Sequence, residues 1–413
     1  MTTWLTSDSH HRWLEQETDR LLSFGRYAQD PRGGFGYLDA DGRIDASRDV
    51  ELWITCRMTH VYALGSMMGR PGAAAYVDHG VDSLLGRLRD EEHGGWFAAI
   101  GADGPTNTAK EAYGHAFVIL AAASATAAGR PGAAALLDQA VAVHTERFWD
   151  DEAGMSRESF NRDWSEEEQY RGVNANMHTV EAYLAASDVL GDRDLLDRAA
   201  RIVTRVVDVY GRDNEWRLPE HFDLDWNPRL DYNEDEPAHP FRPYGATVGH
   251  ALEWSRLTLQ AASSLQQTGR ATPEWMVPAA RDLYAAAIRD GWNVDGQPGF
   301  VYTTDWEGAP VVRERMHWVA AEAVGAAAVL WRTTRAAEYA EQYQQWWDYI
   351  GEHLIDLDKG SWHHELSTSN EPSATVWPGK PDIYHALQAT LLPRLPASPA
   401  LAASLAAGNL GKA

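Results

Sequence analysis

Apolar and polar positions along this chain fall into two helical patterns that take turns. One is apolar almost all round and rich in alanine, as in HAFVILAAASA from His115, HTVEAYLAASD from His178 and HWVAAEAVGAAAVLW from His317. A helix of that kind is covered on every side and approaches its neighbours closely. The other keeps an apolar stripe on a charged surface, as in ALLDQAVAVHTERFWDDE, LLDRAARIVTRVVDVY and AAEYAEQYQQWWDYIGEHL, and predicts a helix with one face in water. Between them lie short segments of alternating pattern that start at Gly33, Gly94, Gly154, Glu215, Gly299 and Gly360, mostly with an Asp-rich turn. A side-chain period of two over so few residues predicts short hairpins or extended loops.

The apolar helices share a histidine near their start: His60, His115, His178, His250, His317 and His385, at spacings of 55, 63, 72, 67 and 68 residues. The unit is therefore a charged helix, a Gly/Trp loop and an apolar helix, repeated six times to give twelve helices. An inner ring of apolar helices and an outer ring of charged ones satisfies both patterns. The expected fold is all-α, an (α/α)6 barrel of six helical hairpins, closed because neither terminal unit looks like a polar cap. Residues 1–395 form one domain on this view, and 396–413, small and weakly polar, a flexible tail.

Composition narrows the function. In 413 residues, 36 basic and 60 acidic side chains leave a formal net charge of -24, unsuited to nucleic acid or an anionic membrane surface. A single cysteine, Cys56, rules out an internal disulfide framework or a multi-cysteine zinc site. With no signal segment and no long apolar run, a cytoplasmic location is expected. The chain has no GxSxG elbow, no phosphate-binding GxxxxGK[ST] loop and no HExxH pair.

Most repeat histidines can be structural, bonding a neighbouring loop. His178 with Glu181 and His250 with Glu253 stand at i and i+3, where a carboxylate can fix the imidazole tautomer, so converging helix ends could assemble an acid/base site. A metal held by these pairs is the competing possibility, unsupported by any ligand motif. Arg57 is the only cation in ELWITCRMTHVYALG and on an inner helix must find an anion or hydroxyl oxygens, a neighbouring Glu being the structural option. The chain carries 18 Trp and 16 His. Trp96, Trp164, Trp216, Trp226, Trp306, Trp362 and Trp377 fall in loops; each could cap a repeat, and together they suit a sugar-lined mouth.

The runs WITCRMTHVYALG, YGHAFVILAAA, NANMHTVEAYLAA, YGATVGHALEWSRL, ERMHWVAAEAV and GKPDIYHALQATLLP resemble the N-acylglucosamine 2-epimerase superfamily, and within it the aldose–ketose isomerase branch. The likeness spans about Trp4 to Leu395. It implies an (α/α)6 barrel and interconversion of a free aldose with its ketose without metal or other cofactor. D-mannose and D-fructose are the expected pair, with D-lyxose a further substrate. By this resemblance His250 and His385 are the acid/base pair, Glu253 partners His250, and Arg57 and His178 contact sugar oxygens. Trp53, Tyr113, Asn174, Trp318 and Trp377 correspond to further pocket-lining positions. Arg242 is the one candidate for holding a sulfonate, so a neutral hexose is favoured over sulfoquinovose. A sugar 2-epimerase, an (α/α)6 glycoside hydrolase using Glu253 and Glu322, and a non-catalytic sugar-binding protein are the alternatives, and monomer and homodimer both stay open.

Overall fold

A computed structural model describes residues 3–412. In chain order its major helices are α1 (Asp8–Gly25), α2 (Leu52–Met67), α3 (Ala73–Leu85), α4 (Ala112–Ala127), α5 (Ala133–Arg147), α6 (Val173–Leu190), α7 (Arg193–Val203), α8 (Val248–Gln267), α9 (Met276–Gly291), α10 (His317–Thr334), α11 (Ala337–Tyr349), α12 (Tyr384–Leu391) and α13 (Leu401–Ala406). Even-numbered helices up to α12 form the inner ring, each packed on the next, and α12 returns to α2. The odd-numbered helices α1 to α11 lie outside, each against its inner partner, with α1 on α12. The alanines explain the arrangement: a helix such as α4 is buried from Gly114 to Ala125, and only small side chains let six such helices share one centre. The (α/α)6 barrel expected from the repeat is the fold observed.

Two devices recur. The turn from α2 to α3 and from α4 to α5 is Gly-Arg-Pro-Gly, with both glycines in each copy at positive φ, a conformation open to glycine at little cost. The arginine after the first glycine reaches back to the preceding outer helix: Arg70 bonds Asp19, Arg130 bonds Asp78, and Arg270, after Gly269, bonds Asp197. At the opposite end, a two-residue strand just before an inner helix pairs with one in the next loop, as in Thr247 with Thr303 and Met316 with Glu365. The expected short hairpins are thus braces between consecutive repeats. They hold the inner-helix N-termini around one mouth, over which lies a long irregular segment between Phe222 and Ala246.

Two expectations need correction. The repeat histidines are not at one height: His317 is the first residue of α10 and His385 the second of α12, whereas His60 lies two turns into α2. His60 thus faces a lower chamber, bonding Ser124 at 2.7 Å. Nor is 396–413 a flexible tail throughout. Residues 401–406 form α13, which packs on α2, α4 and α6 and buries Leu401, Ala402 and Leu405. Ala397, Ala400, Leu401 and Ala402 cover the floor of the barrel, where apolar side chains exclude water from the ends of the inner helices.

Candidate active site

The mouth leads into a cavity of about 690 Å3, including its opening, within the size range of small-molecule sites. Every residue that the resemblance assigns to the isomerase site lines it. Trp53 and Arg57 come from α2, Tyr113 from α4, and Asn174 and His178 from α6. His250 and Glu253 belong to α8, Trp318 to α10, Trp377 to the loop before α12, and His385 to α12.

Two imidazole–carboxylate pairs dominate the chemistry. His250 Nδ1 is 2.8 Å from Glu220 Oε1, and His385 Nδ1 is 2.9 Å from Glu322 Oε1. An ionised carboxylate can only accept, so each Nδ1 carries the proton and each Nε2 is left as the basic nitrogen. Burial pushes the His385 imidazole below its ordinary pKa, with the hydrogen bond to Glu322 opposing the shift. The Trp318 ring sits beside both imidazoles, with centroids 5.2 Å from His250 and 5.6 Å from His385.

Glu253 is not the partner of His250. At i+3 from Glu253 stands Arg256, whose guanidinium takes Glu253 Oε1 at 3.1 Å and Glu322 Oε2 at 2.9 Å. A buried cation one turn away binds this carboxylate in preference to a neutral ring. Burial and the nearby Glu322 charge push the Glu253 carboxyl well above the usual range, and its Oε2 lacks a protein partner. Burial alone would also raise Glu322, but Arg256 and the bond from His385 hold it low. Of the two carboxyls, Glu322 therefore carries the charge.

Arg57 finds an aspartate, not the glutamate expected of a structural partner. Its guanidinium donates to Asp382 at 3.1 Å and to the Tyr113 hydroxyl at 2.9 Å, and rests 4.6 Å from the Phe117 ring and 4.8 Å from that of Tyr384. Asp382 also accepts from the Tyr384 N–H at the start of α12, which ties the arginine to the helix that carries His385. His178 lies 3.5 Å from Glu181, as the i,i+3 spacing suggested, and burial pushes it down to about 4. His317 and His364 stack with ring centroids 3.7 Å apart; burial first, then neighbouring imidazoles, keep both neutral.

Arg242 lies outside the cavity lining. It bonds Glu168 at 2.7 Å and stacks on Tyr170, because Glu168 offers it both carboxylate oxygens. Among the described residues Arg57 is the only arginine or lysine in the lining. The loop tryptophans mostly cap repeats. Trp96, Trp164, Trp306 and Trp362 donate to Leu84 O, His93 O, Leu230 O and Glu17 respectively, Trp226 is buried, and Trp216 packs against the core beside Arg212. Only Trp377 of the seven lines the cavity, whose other aromatic walls are Trp53, Trp318, Tyr113, Phe241 and Tyr302. An indole N–H needs an acceptor when buried, and backbone carbonyls and the Glu17 carboxylate supply it for these four.

Sequence patterns did not point to Glu220, Asp382, His364 or Phe241 as site residues. Glu220 and Asp382 lie outside the helical periodicity, in RLPEHF and GKPDIYH. Their position just before a brace strand or an inner helix is the only available signal. Two groups bring metal-ligand atoms within 4.8 Å of one another, His178 with Glu181 and Glu253, and Glu253 with Glu322 and His385. Their oxygens are largely taken: Glu181 accepts from Tyr384 and Gln388, and Glu322 from His385 and Arg256. Arg256 already supplies positive charge at that spot.

The fold and site define an (α/α)6 barrel with a histidine-lined pocket at its loop end. The family model of N-acylglucosamine 2-epimerase matches residues 33–389, and the chain belongs to that family. It is 51% identical over 408 residues to a D-mannose isomerase of Thermobifida fusca, covering 98% of this chain and 99% of that one. A D-mannose isomerase of Pseudomonas cannabina pv. alisalensis is 50% identical over 405 residues, covering 98% and 97%. The crystal structure of a D-mannose isomerase superposes with a TM-score of 0.85 at 26% identity, over 93% of this chain and 97% of that one.

Proposed function

We propose that the protein is an aldose–ketose isomerase that interconverts D-mannose and D-fructose. The observation that carries this is the pair of oriented imidazoles, His250–Glu220 and His385–Glu322, facing one pocket of hexose scale. Full-length likeness to D-mannose isomerases supports the choice of substrate. The aromatic walls take the C–H faces of the ring, and Arg57, Asn174 and Glu253 bond its hydroxyls.

Isomerisation begins with ring opening, in which one group takes the anomeric hydroxyl proton as the ring oxygen gains one; His250 does this work. His385 Nε2 then removes the proton from C2 as O1 gains a proton, giving the C1–C2 enediol. The same nitrogen returns its proton to C1 while the O2 hydroxyl gives up its own to form the ketone, so that one proton has moved from C2 to C1 and one from O2 to O1. One base on one face suffices for this 1,2-transfer. Arg57 and His178 hydrogen-bond the enediol oxygens as negative charge develops, the point at which such bonds lower the barrier. A glycosidase mechanism needs two free carboxyls flanking a bond; Glu322 has both oxygens engaged and lies outside the cavity lining.

Incubation with D-mannose should yield D-fructose, followed by NMR. Absence of ketose across about pH 6 to 9, the range that brackets imidazole titration, overturns the proposal. D-glucose as the first product would assign a 2-epimerase instead. Activity should survive exhaustive EDTA treatment, and loss restored by a divalent ion would place a metal in the reaction.

A further inference from the structure

Below the catalytic imidazoles lies a layer whose charges the proposed mechanism does not explain. Arg256 is fully buried on α8 and donates to three acceptors: Glu322 Oε2 at 2.9 Å, Glu253 Oε1 at 3.1 Å and Gln260 Oε1 at 3.0 Å. Glu322 turns its other oxygen to His385 Nδ1 at 2.9 Å, and Glu253 leaves its other oxygen unpartnered at the cavity wall. One guanidinium fork thus fixes the rotamers of two acids, one bonded to His385 and one with an oxygen left free. A third carboxylate, Glu181 on α6, is held separately by Tyr384 and Gln388. On α10, Gly325 faces the arginine stem; a Cβ there would stand 3.5 Å from Arg256 Cδ.

We propose that Arg256 is a positioning residue for catalysis: by binding Glu322 and Glu253 together it holds the first behind His385 and turns the free oxygen of the second toward the sugar. The inference rests on the isomerase reading for its kinetic test and on geometry alone for its spectroscopic one. A lysine presents a single point charge where arginine offers a planar fork, so it can satisfy only one of the two acids well.

The decisive variant is Arg256→Met. With the cation gone, Glu322 shares a dry layer with Glu253 and Glu181 and must be ionised against their repulsion, so its proton is lost only at higher pH. The groups facing the layer are Glu181 and His178 from α6, Arg57 and His60 from α2, His317 from α10, and Asp382, Tyr384 and His385 at α12; all are retained. The expected result is a kcat on D-mannose about 100-fold lower, the upper range for a group that orients a reacting one, with KM changed less than about threefold. The acid limb of kcat should also move to higher pH. Arg256→Lys should recover about tenfold of the loss with the limb near its wild-type position. Wild-type kcat and pH profile in Arg256→Met, or equal losses in both variants with no shift of the limb, would overturn the proposal.

If Arg256→Met does not fold, Arg256→Lys carries the test, with a kcat deficit expected and full activity contrary. If the wild-type protein isomerises no aldose, the nitrogen NMR spectrum of [15N]histidine-labelled protein decides independently. His385, assigned by loss of its signal in His385→Ala, should show the Nδ1-protonated tautomer in wild type and a mixed population in the arginine variant. An unchanged tautomer in the variant overturns the proposal.

Discussion

His250 takes its carboxylate from Glu220, 30 residues earlier, at a brace strand above the barrel, while His385 takes Glu322, 63 residues earlier, from within inner helix α10. The hydrogen-bond lengths are nearly the same. What differs is what stands behind each acid. Glu322 is clamped by Arg256 in a layer sealed from solvent, whereas Glu220 sits under the long 223–245 segment, beside His221, which bonds Pro243 O of that segment at 2.8 Å. The pair assigned to the carbon-bound proton is thus built into the rigid ring, and the pair assigned to ring opening is coupled to the loop that covers the sugar.

The largest test removes the imidazoles. His385→Ala and His250→Ala should each lower kcat by about 1,000-fold or more while the protein stays folded, a general acid–base contribution at the strong end. Deuterium exchange at C2 from D2O should vanish in the first; retention there would remove His385 from its role. Next come the partner acids. Glu322→Gln should cost about 100-fold and Glu220→Gln about tenfold, because the first amide also strands Arg256. The reverse order would break the contrast. Since Glu322 opposes the burial that depresses His385, Glu322→Gln should also move the acid limb due to His385 to lower pH.

A third effect concerns buried histidines that lack a carboxylate partner. Burial pushes His60 to about 4 and His115, His144 and His317 to about 3. In the unfolded chain they titrate near 6.5, so over the interval the unfolded state binds more protons, and stability falls as pH drops below about 6.5 toward 4. Calorimetry should show Tm steady from about pH 8 to 7 and falling steeply below 6.5; a flat Tm down to pH 4.5 would contradict their neutrality. Smallest is Phe241→Ala. Phe241 packs edge-on against Trp377 at 5.0 Å and Tyr113 at 5.9 Å, and its loss should raise KM about two- to tenfold with kcat little changed.

Much of this fold was legible from helical periodicity, since all-round apolar and one-sided apolar helices have different places in a ring. Of the converging residues, Arg57 and the repeat histidines stood out by their own chemistry and spacing, whereas Trp53, Tyr113, Asn174 and Trp318 were legible only through the family resemblance. The partner carboxylates were not. Glu220 and Asp382 sit in irregular segments, and which carboxylate an imidazole meets depends on contacts between repeats. Glu253 shows the limit of i,i+3 reasoning: the spacing places two side chains on one face, but Arg256, also three residues away, competes for the same carboxyl and wins on charge. Tryptophan content suggested a ligand-binding rim, yet the N–H groups of Trp96, Trp164, Trp306 and Trp362 are committed to acceptors within the scaffold.

The seam between α1 and α12 has a consequence for how the protein is made. Thr18 meets Thr390 across 372 residues of sequence at 2.7 Å, and Trp362 meets Glu17 across 345. While a ribosome is still producing the middle of the chain, Leu14, Leu21 and Leu22 of α1, buried in the finished ring, have no α12 to cover them. The nascent barrel is an open crescent with apolar edges for nearly the whole of translation. Holding those edges apart from other chains is the task this topology hands to cellular chaperones.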